Sequence, residues 1–219
     1  MQILVYADSL SWGIVPATRA RLPFAHRWPG VLERELNSAA GTAAGSASEP
    51  VRVVENCLNG RRTVWDDPFK PGRSGVDGIG QVMESHAPLA LVILMLGTND
   101  FQSVHQYTAS HSAQGIARLI GAIRDAPVEP GMPQPPILVV VPPPFGALTE
   151  TTATKFDGAA RKSAGLAEAY RAVCAAHGCD YFDAGDCVQV SALDGVHLDA
   201  DQHAVLGKAL AVPARRLIR

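Results

Sequence analysis

The longest run of apolar residues in the chain, residues 89–96, constrains its fold more than any other feature. Eight apolar residues in a row are typical of a strand that is buried on both faces, and such strands belong to parallel sheets that helices cover on either side. Four shorter, largely apolar segments predict further strands, at residues 3–6, 51–54, 137–141 and 181–183. The sequence therefore predicts a five-stranded sheet.

Between these segments, apolar residues recur at the spacing of a helix face. Helices are predicted over residues 27–37, 76–86, 110–124, 155–177 and 199–218. Strands that alternate with helices favour a parallel sheet with right-handed crossovers. We therefore expect a three-layer α/β/α fold of flavodoxin-like type, with a five-stranded parallel sheet, in which residues 1–219 form a single domain.

Three connecting segments are rich in glycine, proline or small polar residues. Residues 38–50 are expected to form a loop or a frayed helix end, and residues 127–136 a proline-rich connector. Residues 66–78 are expected to form a polar surface loop that helps to shape a pocket.

Charge and cysteine content exclude several classes of function. A net charge of −2 provides no basic field for nucleic acid and no polybasic patch for a membrane, so neither partner is expected. The apolar N-terminal run is too short for a signal peptide, and we expect a cytoplasmic protein. The four cysteines lack Cys-x-x-Cys spacing and are expected to be reduced and mostly buried: Cys57, Cys174, Cys179 and Cys187.

Polar residues follow three of the predicted strands where each strand ends: Ser9, Gly60 and Asn99. In open α/β sheets this carboxyl edge is where ligands bind. Asp194 and His197, which precede the last helix, are expected to face the same crevice. The glycine-rich sequences that hold dinucleotides or phosphate chains in such folds, Gly-x-Gly-x-x-Gly and the Walker sequence, are missing.

These residue types are the ones that acyl transfer needs. A serine hydroxyl becomes a strong nucleophile when a histidine takes its proton, and a carboxylate such as Asp194 orients that histidine. A tetrahedral intermediate also needs donors for its oxyanion, which the N–H groups of Ser9 and Gly60 and the Asn99 side chain would supply. Asp8 and Ser9 taken alone have another explanation, since such a pair often only caps a helix.

Other candidate residues have two interpretations each. Trp12, Ile14, Phe101 and Phe145 flank the polar turns and are predicted to line the substrate pocket, although aromatic residues beside a sheet are as often part of the core. The pair Arg61-Arg62 either binds an anion or, as we expect, is solvated or paired with Asp66 or Asp67. No metal or cofactor is expected, and these histidines are interpreted as surface or capping residues: His26, His86, His105, His111, His177 and His203.

In order and spacing, four blocks of the sequence resemble those of the SGNH hydrolases, also called the GDSL esterase/lipase family. The blocks are Ala7-Asp8-Ser9-Leu10, Gly60 after the second strand, Gly97-Thr98-Asn99-Asp100, and Asp194-Gly195-Val196-His197. Further segments resemble the bacterial arylesterase and acyltransferase branch: Ser9-Leu10-Ser11-Trp12-Gly13, Arg27-Trp28, Arg62-Thr63 with Asp67-Pro68, and Val141-Pro142-Pro143-Pro144. One departure is Ala7, which stands where the family normally has glycine.

The resemblance implies that Ser9 is the nucleophile, His197 the base and Asp194 its orienting carboxylate, with Ser9, Gly60 and Asn99 around the oxyanion. It implies hydrolysis of short-chain or aryl carboxylic esters, with acyl transfer to alcohols, in a protein that assembles into homo-oligomers. Removal of acetyl groups from a carbohydrate or small molecule by the same triad is the alternative. A non-catalytic flavodoxin-like binding protein is a remote third hypothesis.

Overall fold

Five parallel strands form one sheet in the computed structural model, which describes residues 1–38 and 49–218. The strands are β1 (Gln2–Ala7), β2 (Arg52–Cys57), β3 (Leu91–Met95), β4 (Ile137–Val141) and β5 (Asp180–Asp183). Their order in the sheet is β2-β1-β3-β4-β5. This is the order of flavodoxin-like sheets, and the predicted fold is confirmed.

Helices cover both faces of this sheet. They are α1 (Ser9–Trp12), α2 (Trp28–Ser38), α3 (Ile79–His86), α4 (Ala109–Arg124), α5 (Glu150–Phe156), α6 (Ala159–Lys162), α7 (Leu166–His177) and α8 (Ala200–Leu217). Alternate residues of each central strand enter opposite cores: Leu94 packs with residues of α3, α4 and α7, whereas Ile93 packs with residues of α2 and α8. Burial on both faces explains why residues 89–96 are continuously apolar.

The prediction of one long helix over residues 155–177 is wrong. The segment contains the end of α5, then α6 and α7, and the breaks fall at Gly158 and Gly165, whose φ angles are 69° and 80°. A left-handed backbone ends an α-helix, and glycine adopts it without a steric penalty. A third such residue, Gly78 with a φ of 82°, delays the start of α3 to Ile79.

The remaining differences are small. β3 is shorter than the apolar run that predicted it, since it spans Leu91–Met95. Most of the loop predicted at 38–50 lies outside the described residues. No helix in the described ranges is both long and apolar enough to cross a bilayer.

All four cysteines are free thiols. Cys174 is fully buried, whereas Cys57, Cys179 and Cys187 are only partly buried, so the expectation of mostly buried thiols holds for one of them. Burial raises the pKa of each thiol. The cysteines are therefore protonated and weakly reactive at neutral pH.

Candidate active site

The turn after β1 presents Ser9 at the carboxyl edge of the sheet. Asp8 caps α1, because its Oδ1 accepts a hydrogen bond from the Leu10 N–H at 3.0 Å. Capping is thus part of what the Asp8-Ser9 pair does, and the Ser9 side chain faces a cleft. Ala7 lies in β1, paired with Cys57 and Met95. Its backbone is extended, so alanine in place of the family's glycine introduces no strain.

His197 joins Ser9 to Asp194. Its Nε2 lies 3.1 Å from Ser9 Oγ, and its Nδ1 lies 2.7 Å from Asp194 Oδ2. All three side chains are buried to more than nine-tenths. The structure therefore brings together, at hydrogen-bonding distance, three residues that are separated by up to 188 positions in the chain.

Backbone hydrogen bonds fix the loop that carries Asp194 and His197. Asp194 Oδ1 accepts from the N–H groups of Val196 and His197, both at 2.9 Å. Burial by itself raises the pKa of Asp194, but the hydrogen bonds from His197 and Val196 outweigh it and lower the pKa below the usual value. Asp194 is therefore ionised at neutral pH and carries the negative charge that faces His197.

Gly60 occupies a tight turn after β2. Its φ of 85° lies in the left-handed region, where glycine alone is unstrained. The turn is closed by the hydrogen bond from the Arg61 N–H to the Leu58 carbonyl at 2.9 Å. Among the described residues, neither the Gly60 N–H nor the Ser9 N–H donates to another protein group. Both N–H groups are available to a ligand in the cleft.

Asn99 follows β3 in a short 3₁₀ turn (Thr98–Phe101) and is hydrogen-bonded at both ends of its amide. Its Nδ2 donates to Asp8 Oδ2 at 2.9 Å and to the Arg61 carbonyl at 3.2 Å, and its Oδ1 accepts from Gln102 at 2.9 Å. These hydrogen bonds fix the position of the amide in the cleft. If the Asn99 amide donated to a ligand, it would use the hydrogen that now forms its longer bond, the one to the Arg61 carbonyl.

Two buried carboxylates lie beneath the cleft. Burial raises the pKa of Asp8 to about 6, against the opposing effects of Leu10, His197, Asn99 and Arg61. Burial also raises the pKa of Asp100 to about 6, although Asp100 accepts hydrogen bonds from Thr63 and Ser112. Neither carboxylate lines the cleft. They hold the turns around the cleft in place.

We call the cavity above these residues the Ser9 cleft, and its volume is about 90 Å³. Its lining includes Ser9, Gly60, Asn99 and His197. The rest of its lining comes from segments that are distant in sequence: Ile14, Arg19, Asn59, Asp67, Lys70, Thr151, Thr152, Lys155 and Phe156. Asp67 and Lys70 belong to the polar loop that was expected to help shape a pocket.

Of the four side chains predicted to line the pocket, only Ile14 lines this cleft. Trp12 lies outside it, beneath the Arg21 guanidinium, whose carbon is 4.6 Å from the indole centroid. Phe101 is fully buried in the core, and Phe145 contacts it edge-on at 6.4 Å between ring centroids. Both phenylalanines border a different cavity of about 370 Å³. Burial of apolar area in the core determines the position of these aromatic rings.

Neither arginine of the Arg61-Arg62 pair lines the cleft. Both side chains are buried rather than solvated. Arg62 forms an ion pair with Asp67 at 3.1 Å, one of the predicted alternatives. Arg61 lies 3.9 Å from the centroid of the Tyr6 ring and donates to the Ala7 carbonyl at 3.0 Å.

One histidine differs from its prediction as a surface or capping residue. His203 is completely buried, and its Nδ1 accepts a hydrogen bond from the Trp28 N–H at 3.3 Å. Burial lowers the pKa of His203 to about 4, and the positive charges of Arg27 and His197 act in the same direction. Within residues 1–38 and 49–218, no three residues of the types His, Cys, Asp and Glu are grouped to hold a metal ion.

Sequence reasoning missed the cationic residues of the cleft, Arg19, Lys70 and Lys155, and the aromatic residue Phe156. None belongs to a recognisable catalytic or binding motif: Arg19 follows α1, Lys70 lies in the polar loop 66–78, and Lys155 and Phe156 end α5. Their positions depend on tertiary structure alone.

Comparisons with known proteins agree with this geometry. The sequence model of the GDSL-like Lipase/Acylhydrolase family matches residues 8–205. Among solved structures, the chain is 32% identical to Est24, a carbohydrate acetylesterase from Sinorhizobium meliloti, with a TM-score of 0.89. It is 33% identical to an aryl esterase from M. smegmatis, also with a TM-score of 0.89. Each comparison covers 99% of both chains.

A third structure, from Agrobacterium tumefaciens str. C58, is of a protein proposed to be an arylesterase. It is 39% identical, with a TM-score of 0.85 and 99% of both chains covered. A search of curated proteins finds no significant match in sequence.

Proposed function

The chain belongs to the GDSL-like lipase/acylhydrolase family, and from this membership we propose that it is a serine esterase that forms an acyl-enzyme on Ser9. The observation that carries the proposal is the hydrogen-bonded series Asp194–His197–Ser9, with distances of 2.7 Å and 3.1 Å. This series supplies a nucleophile, a base and a group that orients the base.

Proton transfer follows from the orientation of the imidazole. Because the ionised Asp194 carboxylate accepts a hydrogen bond from the Nδ1–H of His197, the neutral ring carries its hydrogen on Nδ1 and has a free lone pair on Nε2. Nε2 takes the Ser9 proton as Oγ attacks the ester carbonyl carbon. The imidazolium then donates that proton to the departing alkoxide, which leaves Ser9 acylated.

The oxyanion of the tetrahedral intermediate would be stabilised by three donors: the N–H groups of Ser9 and Gly60 and the Asn99 amide. The two N–H groups are unengaged by other described residues, so they need no rearrangement when negative charge develops. Water then attacks the acyl carbon as His197 removes its proton; the imidazolium returns this proton to Ser9 Oγ, which leaves as the free hydroxyl, and the carboxylic acid is released.

The size of the Ser9 cleft favours short acyl groups. Its volume of about 90 Å³ is well below the roughly 300–1,000 Å³ of pockets that hold drug-sized ligands. An acetyl group, with three heavy atoms, is a small acyl group that suits such a cleft. We therefore propose acetyl esters as the preferred substrates, with an aryl or alkyl alcohol that extends out of the cleft.

Transfer of the acyl group to an alcohol is proposed as a second outcome of the same intermediate. Ile14 and Phe156 give the cleft an apolar wall beside Ser9, and an apolar wall favours an alcohol with an apolar body over bulk water. We expect vinyl acetate and benzyl alcohol in buffer to yield benzyl acetate at early times, measured by gas chromatography. Acetic acid as the only product would contradict acyl transfer.

The wall itself is tested by Ile14→Trp, which we expect to change the ratio of benzyl acetate to acetic acid. Trp12→Phe is the matched control, since Trp12 lies outside the cleft, and its ratio should equal that of the wild type. An unchanged ratio in Ile14→Trp would mean that this side chain does not select the attacking nucleophile.

Deacetylation of a carbohydrate is the second candidate function. It is favoured by the likeness to the Sinorhizobium acetylesterase and by the small volume of the Ser9 cleft, about 90 Å³. Acetylated sugars and p-nitrophenyl acetate, compared by kcat/KM, distinguish the two functions.

The proposed function is tested by the turnover of p-nitrophenyl acetate. We expect wild-type protein to release p-nitrophenol and acetate, and Ser9→Ala to lose nearly all of this activity while its circular dichroism spectrum is unchanged. Substantial turnover by folded Ser9→Ala would refute the mechanism.

A further inference from the structure

Three cationic side chains from separate segments meet at the Ser9 cleft: Arg19, Lys70 and Lys155. All three residues are solvent-exposed, whereas Ser9, Asn99 and His197 are buried. The cations therefore form the rim of the cleft, and the proposed catalytic groups form its floor. A chain with a net charge of −2 thus has a concentration of positive charge where substrate enters.

Backbone hydrogen bonds hold each rim residue in place. The Arg19 N–H donates to the Val15 carbonyl at 2.9 Å, in a turn where Arg19 adopts a φ of 60°. The Lys70 N–H donates to the Asp67 carbonyl at 3.1 Å. The Lys155 carbonyl accepts from the Ser103 N–H at 2.8 Å. The positive charges are thus carried on three anchored segments.

No carboxylate of the described structure forms an ion pair with these cations. Asp67 is the one carboxylate that lines the Ser9 cleft in the described structure, and both of its oxygens are engaged. Its Oδ2 lies 3.1 Å from the buried Arg62 guanidinium, and its Oδ1 accepts from the Phe69 N–H at 2.9 Å. Throughout residues 1–38 and 49–218, none of the three rim cations takes part in an ion pair.

The surroundings of Lys155 disfavour its positive charge. Partial burial lowers the pKa of Lys155, and the charges of Arg19, Arg62 and Lys70 lower it further, against an opposing effect of Asp67. Because Asp67 is already paired with Arg62, the three rim cations together create a net positive potential, which favours an anionic ligand between them.

We propose that the rim formed by Arg19, Lys70 and Lys155 binds a permanent anionic group, such as a carboxylate, on the alcohol part of the ester. The inference rests on the proposed esterase function and specifies its substrate class. The floor of the cleft is filled by the short acyl group, so the alcohol part of a bound ester extends toward the rim. An acetyl ester of an anionic alcohol would place its acetyl group beside the catalytic residues on the floor and its anionic group beside the cations of the rim.

The test compares two acetyl esters that differ in charge at one position, 4-acetoxybenzoate and the neutral 4-acetoxybenzamide. Release of each phenol is measured by liquid chromatography, and the quantity compared is the ratio of kcat/KM for the anion to kcat/KM for the amide. We expect wild-type protein to prefer the anion at low ionic strength. The preference should weaken as sodium chloride is raised from about 0.05 M to about 0.5 M, because salt screens exposed charges.

Single variants assign the preference to the rim. Arg19→Gln, Lys70→Gln and Lys155→Gln should each lower the ratio about two- to fivefold, the range for one partly exposed ion pair. The triple variant should lower it by about tenfold or more. Lys208→Gln is the matched control, since it removes one exposed positive charge from α8 and does not line the cleft. Its ratio should equal that of the wild type.

The results separate failure of the inference from failure of the proposed function. If neither ester nor p-nitrophenyl acetate is hydrolysed, the esterase function is wrong. If the neutral ester is hydrolysed but the anion is not preferred, the rim does not bind an anionic group and the inference is overturned. A preference that persists in the triple variant would also overturn it, because other residues would then bind the anion.

Discussion

Replacement of Asn99 by alanine tests two roles of one side chain. The proposed role in catalysis is donation to the oxyanion, and loss of one such donor typically lowers kcat by about 10² to 10³, or about 2.7–4 kcal/mol. Because the charge on the oxyanion develops in the transition state, KM should change little. A change confined to KM would instead make Asn99 a residue that binds the ground state.

The same substitution should lower the free energy of unfolding, and by an amount that depends on pH. Asn99 donates to the buried carboxylate of Asp8 at 2.9 Å, and a hydrogen bond to a charged group contributes about 1.5–3 kcal/mol. This bond favours the ionised form of Asp8, whose pKa is about 6. Below pH 6 the carboxyl is protonated and the bond contributes less, so the loss of stability should be larger at pH 8 than at pH 5.

Urea denaturation at pH 5 and pH 8, together with kcat and KM for p-nitrophenyl acetate at pH 8, measures both effects. Ser112→Ala is the matched control: Ser112 donates at 2.6 Å to Asp100, the other buried carboxylate with a pKa of about 6, and it does not line the cleft. It should lose stability with the same pH trend and keep its kcat. A kcat in Asn99→Ala within about threefold of wild type would refute the oxyanion role and leave Asn99 as a support for Asp8.

Three further predictions address the triad and the core. Ser9→Ala with His197→Ala should lose little more activity than either single variant, because groups that act together are not additive; additive losses would contradict the series. Asp194→Asn should keep its fold and lower kcat by about 10⁴, as expected when the orienting carboxylate is lost; an unchanged rate would mean that another group orients the imidazole. His203 has a pKa of about 4, below its usual 6.5. As the pH drops below 6.5, the unfolded chain binds a proton at this residue before the folded protein does, so the free energy of unfolding decreases. At pH 5 this loss is about 2 kcal/mol, and His203→Gln should abolish it in urea denaturation; an unchanged pH dependence would contradict the assignment.

The fold could be predicted from sequence because its strands are marked locally. Residues buried on both faces of a parallel sheet must be apolar at every position, and the segments that became β3 and β4 carry this pattern. Helix boundaries were harder to predict. Apolar spacing continues from α5 through α7, and the breaks depend on whether Gly158 and Gly165 adopt a left-handed backbone, which periodicity does not reveal.

The candidate site divides in the same way. Ser9, Gly60 and Asn99 could be placed from sequence because strand ends in a parallel sheet meet at one edge. His197 follows no strand directly, and its role was predicted from the resemblance of Asp194-Gly195-Val196-His197 to a family block. The residues that form the walls of the cleft could not be located from strand ends. Arg19 and Lys155 reach it from opposite halves of the chain, and Phe101 lies near the site in sequence but is buried in the core.

The central claim is that Ser9 is an activated nucleophile, and covalent labelling tests it most directly. A fluorophosphonate reacts with a serine whose proton is removed by a base, and mass spectrometry of the tryptic peptide covering residues 1–19 locates the adduct. That peptide also contains Ser11, which is buried and accepts a hydrogen bond from the Trp28 indole at 3.0 Å, so it is an internal control. The account predicts one adduct, on Ser9, that is lost in Ser9→Ala and strongly slowed in His197→Ala. No adduct on folded wild-type protein, or an adduct on another residue, would contradict it.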